Sequence, residues 1–130
     1  MDMEDRAEKA ARLKRDYYYN CCQAVTAVLA DETDLTGDQL NQISSGFAFG
    51  MGNMNATCGS LIGATMIAGL KSKGIGSVRI ARQISEVFAQ KTKAISCKDI
   101  KGRETGKVLC SCEDCVKNAV RAYCQVIYEK

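Results

Sequence analysis

The stretch Gly46-Phe47-Ala48-Phe49-Gly50-Met51-Gly52-Asn53-Met54-Asn55-Ala56-Thr57-Cys58-Gly59-Ser60-Leu61-Ile62-Gly63-Ala64 decides how the rest of the chain is read. Through Asn55 it is too rich in glycine and asparagine for regular structure, and it can adopt positive φ at several points. Beyond Cys58 it becomes a helix over about Gly59 to Leu70, with Thr57 as a natural cap and Leu61, Ala64 or Thr65, and Ala68 on one side. Gly59, Gly63 and Ala64 leave that helix a bare flank where another backbone or a cofactor can come close.

Helical spacing recurs on either side of this stretch, and alternating β-branched runs are absent. A charged segment over about Met3 to Tyr18 reads as an outer helix. From Asn20, a plausible N-cap, Cys21, Val25 and Val28 form one helical stripe through about Ala30. Thr36 and Gln39 have capping-box spacing and open a helix through about Ser45. Ile80, Ile84, Val87 and Phe88 mark an amphipathic helix over about Ser77 to Lys93. A loop-like passage from Cys97 to Leu109 follows. The last helix runs from about Ser111 to Tyr128, with Ser111 and Asp114 repeating the capping-box arrangement. The expected architecture is all-α: an irregular bundle of five or six helices with the glycine-rich loop before the third or fourth. No linker, repeat or low-complexity tract divides residues 1–130, which are expected to form one domain.

Composition narrows the chemistry. The 130 residues include 8 Cys and no His, Pro or Trp. Without histidine, this chain alone cannot build Ser-His-Asp or Cys-His catalysis, a Cys₂His₂ zinc finger or a His-ligated haem. Sulfur is the remaining soft ligand and nucleophile. The N-terminus opens acidic, without the basic-then-apolar layout of a secretory signal, so a cytoplasmic location is expected. In a reducing cytosol, clustered cysteines signify metal binding or redox chemistry more often than static crosslinks. No run approaches the roughly 18 to 20 apolar residues a membrane span needs. Residues 1–38 carry net charge −4, residues 39–70 carry none, and residues 71–130 carry +7. An uncharged stretch of that length should lie inside the protein or against a partner. The basic half has no nucleic-acid motif and reads as a solvated helix face.

Cys21, Cys58 and Cys112/Cys115 each fall at or just inside an expected helix start, where free N–H groups and the helix dipole favour thiolate. Cys110-Ser111-Cys112-Glu113-Asp114-Cys115 overlaps a C-x-C with a C-x₂-C, and Cys112 and Cys115 share a helix face, so they can chelate one metal or close one redox pair. The glycine loop places Cys58 in an uncharged, water-poor setting. Gly50, Gly52 and Gly59 are candidate cofactor-binding positions, their backbone N–H groups available to sulfides or thiolates. Tight helix packing is the plainer role for the same glycines. Met51, Met54 and Met66 read as core rather than copper ligands. Tyr17, Tyr18 and Tyr19 read as packing beside Cys21.

Asn20-Cys21-Cys22-Gln23-Ala24-Val25, Gly46-Phe47 through Gly52, Thr57-Cys58-Gly59-Ser60-Leu61-Ile62-Gly63-Ala64, Ser96-Cys97 and Cys115-Val116 together resemble the small redox-active proteins named for their C_GCAxxG_C_C cysteine pattern. The resemblance runs from about residue 17 to 125. It implies that Cys21, Cys58, Cys97 and Cys115 are the family's four cysteines. Ser60 stands where the motif has alanine, a small-for-small change. Cys22, Cys110, Cys112 and Cys124 are additional thiols, of which Cys110 and Cys112 lie close enough to compete with Cys115; Cys112 is the substitute ligand. Cys124 is half a turn out of phase with Cys115 and reads as a buried structural thiol.

The leading expectation is that Cys21, Cys58, Cys97 and Cys115 converge to hold an iron–sulfur cluster, [2Fe–2S], for electron transfer or redox sensing. The same ligands suit structural zinc. The principal alternative is a metal-free thiol–disulfide oxidoreductase or switch, with Cys58 as nucleophile and Cys21, Cys97 or Cys115 resolving. A non-catalytic helical interaction module, its cysteines buried as hydrophobes, is the third. A redox partner protein is implied but not identified. Neither nucleic acid nor membrane is expected, and a helical homodimer is compatible with each reading.

Overall fold

The computed structural model describes residues 2–129. Among them are seven α-helices and no strand: α1 (Met3–Asp16), α2 (Cys21–Val28), α3 (Gly37–Ser44), α4 (Gly59–Lys71), α5 (Ser77–Thr92), α6 (Cys97–Lys101) and α7 (Cys112–Tyr128). The all-α expectation holds. The count passes six because α6, a helix of five residues, is too short to show a period.

Local chemistry sets most helix starts. Asn20 and Thr36 make full capping boxes with Gln23 and Gln39. Ser111 accepts from the Asp114 N–H at 3.1 Å and caps α7. The cap of α4 is Cys58 rather than Thr57, and its side chain makes no capping bond. The Cys58 N–H is instead drawn away to Ile95 O at 2.7 Å, a tertiary bond that local spacing does not encode.

The core gathers around α4 and α7. α7 packs on α1, α4 and α5, and α2 lies against α4. Val25, Leu61, Ala64, Ile67, Ile84, Phe88, Val116, Val120 and Tyr123 fill the interior. The uncharged stretch divides: α4 is mostly buried, whereas Ile43, Phe49 and Met51 face solvent. α1 is less of an outer helix than its charge implies. Ala7, Ala10 and Ala11 are buried, and so is Arg6, which donates to Val28 O at 3.0 Å and to both Asp31 oxygens at 2.8 Å. Beside this pair the Glu32 carboxylate accepts from Tyr123 at 3.0 Å and from Tyr128.

Candidate functional site: a cysteine-lined pocket at four helix starts

α2, α6 and α7 each begin at a cysteine, α4 is capped by one, and the four starts meet. Those of α4 and α6 are clamped by an isolated antiparallel bridge between Thr57 and Ser96. Its flanking bonds run from Cys58 N–H to Ile95 O at 2.7 Å and from Cys97 N–H to Ala56 O at 3.0 Å. The clamp bonds use the peptide groups of the two cysteines themselves, so the backbone fixes where Cys58 and Cys97 stand.

Glycine brings in α2. A Cβ on Gly59 would stand 2.1 Å from Phe47 O and 2.7 Å from Cys21 Sγ; one on Gly63 would stand 3.0 Å from Cys22 O. Four residues apart, the two glycines present one bare helix face to α2. The close neighbour permitted by that flank is therefore protein backbone and the Cys21 sulfur. Gly50, at φ +56°, plays the same part toward Cys97, whose Cβ would lie 2.8 Å from an added methyl. Gly52 differs: it faces open space and does not touch the pocket.

The result is a pocket of about 20 Å³ lined by Cys21, Cys58, Cys97, Cys112 and Cys115, with Phe49, Gly59, Ser60, Lys14 and Lys101. Such a space is large enough for about one water. All four cysteines carried over from the resemblance are on its wall. Within it the Cys58 thiol lies against those of Cys21 and Cys115, and Cys115 also meets Cys110. Cys112, the other half of the C-x₂-C, interacts with Lys101 instead. All eight cysteines are free thiols, and among the described residues no three Cys, Asp or Glu side chains are grouped tightly enough to grip a metal ion as they stand.

At Cys21 and Cys58 the helix start does not depress the thiol pKa as sequence position implies. Contact with the Cys58 thiol, then burial, pushes Cys21 strongly up against the opposing N–H groups of Phe49 and Cys22. Contact with Cys115 raises Cys58, against a smaller opposing effect of Cys21 and the Ser60 N–H. Burial raises Cys97, with Lys101 opposing, and takes Cys22 to about 12. A helix terminus contributes about 0.3 to 2 kcal/mol, less than the desolvation of an uncompensated charge here. The same N–H groups are positioned for sulfurs made negative by a bound cation, which inverts the balance.

The loop over the pocket is strained. Phe49, Met51 and Met54 are all left-handed, at φ 52°, 65° and 67°. Each such residue costs roughly 1 to 2 kcal/mol, a conformation that persists only where surrounding structure imposes it. Here Arg103 Nη1 donates to Asn53 O at 2.7 Å and holds the loop from the α6 side, while the Phe49 N–H reaches the Cys21 sulfur.

Other sequence candidates fall elsewhere. Cys124 is buried near Arg6 and Glu32, outside the pocket. Cys22 touches Met66, with Sγ and Sδ 4.0 Å apart. Met51 is exposed. Tyr17 and Tyr18 face solvent, and only Tyr19 packs on the core. Sequence reasoning passed over Lys101, whose ammonium donates to Cys110 O at 3.1 Å and stands 3.9 Å from Cys115 Sγ. It also passed over the meeting of Cys110 with Cys115. The available signal was their place at N′ and N4 around the Ser111 cap, the staple positions whose side chains pack together.

An all-α chain whose helix starts gather five thiols and two lysines around one sheltered space belongs to the class of small cysteine-pocket proteins equipped for redox chemistry. It is a member of the family described as "Putative redox-active protein (C_GCAxxG_C_C)", whose model matches residues 19–126. Among curated proteins and among solved structures nothing matches the chain.

Proposed function

We propose that this protein carries electrons, or senses redox state, through an iron–sulfur cluster of the [2Fe–2S] type held by Cys21, Cys58, Cys97 and Cys115. The observation that carries this reading is that these four cysteines, from the starts of four helices, line one pocket. The donor set fits: four or five soft sulfurs, no histidine, and backbone N–H groups of Phe49, Cys22 and Ser60 directed at the Cys21 and Cys58 sulfurs. The space of about 20 Å³ is smaller than such a cluster, so binding requires the sulfurs to part from the contacts they now share. When bound, the cluster supplies one-electron chemistry; the chain supplies ligands, shelter from water and the charge of Lys101.

A second reading rests on the contact of Cys58 with both Cys21 and Cys115: a thiol–disulfide couple needing no metal. Anaerobic purification followed by iron, acid-labile sulfide and visible-absorption measurements separates the two. The cluster reading expects iron and sulfide in matched amounts, colour that bleaches on reduction, and loss of all three in Cys58→Ser. Protein that takes up neither iron nor sulfide, even when both are supplied under reducing conditions, overturns it. A reversible two-electron thiol couple in that protein would then support the second reading.

A further inference from the structure

We propose that Cys110 and Cys115 are a dithiol pair that exchanges with low-molecular-weight disulfides of the glutathione class, closing an S–S bond at the start of α7. This does not rest on the cluster reading, although the two share Cys115 and a closed bond would withdraw that sulfur from the pocket.

Three observations carry it. Cys110 and Cys115 occupy the N′ and N4 positions around the Ser111 cap, and the Cys115 Sγ lies 3.9 Å from the Cys110 carbonyl oxygen, with the two side chains interacting. Cys110 is half-buried, reachable from solvent, and sits in irregular chain just before the cap, whereas Cys115 is buried in the helix. Finally, buried polar groups are spent on the Cys110 sulfur. Asn118 Nδ2 donates to it at 3.7 Å and to Thr92 Oγ1 at 3.1 Å. Arg121 Nη1 donates to Asn118 Oδ1 at 3.1 Å and is itself paired with Glu4, which turns the amide nitrogen toward the thiol. The orientation satisfies the buried amide and also sets a donor on the sulfur that carries negative charge during exchange.

The exchange balances without further reactants. Cys110 as thiolate attacks one sulfur of the external disulfide, releasing one thiol and leaving a mixed disulfide. Cys115 then attacks the Cys110 sulfur, forming the intramolecular bond and releasing the second thiol. The two protein thiols lose their protons to the two departing thiolates, and the electron pair passes to the external disulfide. Cys58 also touches Cys115, but it is buried and offers no first point of attack. Cys112 is partly exposed, but it is engaged with Lys101.

The test is made on the full chain as purified, equilibrated with glutathione and its disulfide over a range of ratios, quenched with iodoacetamide, digested with trypsin and mapped by mass spectrometry. Residues 108–117 form one tryptic peptide containing Cys110, Cys112 and Cys115. The expected product is that peptide short of one pair of hydrogens, with a single alkyl group on Cys112. Cys112→Ser keeps the bond, and Cys110→Ser abolishes it. A bond from Cys115 to Cys112 or Cys58, a stable glutathione adduct on Cys110 with Cys115 still alkylatable, or full alkylation at every ratio overturns the proposal. Iron and sulfide analysis of the same sample scores the cluster reading separately, so either can fail alone.

Discussion

The Lys101 ammonium stands 3.9 Å from the Cys115 sulfur and 3.1 Å from the Cys110 carbonyl oxygen, a cation placed where α6 ends and α7 begins. Burial alone would lower its pKa; interactions with the Cys115 and Cys112 sulfurs overcome this, and the net direction is up. The positive charge is thus favoured beside those sulfurs.

Replacing Lys101 by methionine keeps the aliphatic stem and removes the charge. Reduction adds negative charge to the site, so the loss of a neighbouring cation disfavours the reduced state. The midpoint potential of cluster-loaded protein should fall by tens of millivolts, on the scale of about 59 mV per tenfold change in a one-electron equilibrium. Lys101→Arg should retain most of the wild-type value. A potential unmoved by the methionine variant, in a protein with unchanged thermal melting, would remove Lys101 from the site.

Two glycines should respond oppositely to alanine. At Gly59 the added methyl meets Phe47 O at 2.1 Å and Cys21 Sγ at 2.7 Å, so α2 and α4 must separate. Overpacking of this kind costs about 1 to 3 kcal/mol or more. Gly37, at the first position of α3, has nothing within 4 Å of the new atom. Gly37→Ala should stabilise by about 0.4 to 1 kcal/mol by restricting the unfolded chain. Urea unfolding midpoints on either side of the wild type check both.

Arg6 is buried at the end of α2, and its guanidinium donates to Val28 O and grips Asp31. Arg6→Met leaves that carbonyl without its donor and strips a cation from beside Glu32, which lies 3.9 Å from Arg6 Nη2. The loss should be about 1 to 3 kcal/mol, the penalty of an unsatisfied buried polar group. An unfolding free energy within error of wild type would mean that water replaces the bond.

The Glu32 carboxylate also predicts a pH dependence. Its hydrogen bond to the Tyr128 hydroxyl, followed by burial, raises the Tyr128 pKa from 10.0 to about 12; burial and then Glu32 raise Tyr123 further. The fold therefore favours the protonated phenols. The Tyr128 contribution is complete below about pH 10 and is lost as pH rises toward 12, because the unfolded chain releases its proton first. Tyr128→Phe should be less stable than wild type at neutral pH, with the gap closing through that range. A gap of constant size from pH 8 to 12 would contradict this account.

Short-range rules made much of the fold legible. Thr36 with Gln39, Asn20 with Gln23, and the periodic faces of α5 and α7 depend on residues within one or two turns, so their spacing shows in the chain. α6 escaped because a single turn has no period and its start is clamped to Thr57, thirty-nine residues before Ser96. The site was partly legible: cysteines at helix starts, together with the family pattern, named four sulfurs that share the pocket wall. Their electrostatics were not, because helix position is local whereas burial and neighbouring thiols are tertiary. The same limit hid Lys101. It also favoured Cys112 over Cys110 as the companion of Cys115, since i to i+3 spacing within a helix is conspicuous and the contact across a cap is not.

The pocket wall draws on positions from Lys14 to Cys115, and no two of its four principal sulfurs are near neighbours in the chain. Until α7 docks, the earlier cysteines have no enclosure, and a synthesising ribosome must release nearly all of these residues before that can happen. Anything held there is fully enclosed only once α7 is in place, and until then the thiols of the emerging chain lie open to whatever the cell contains.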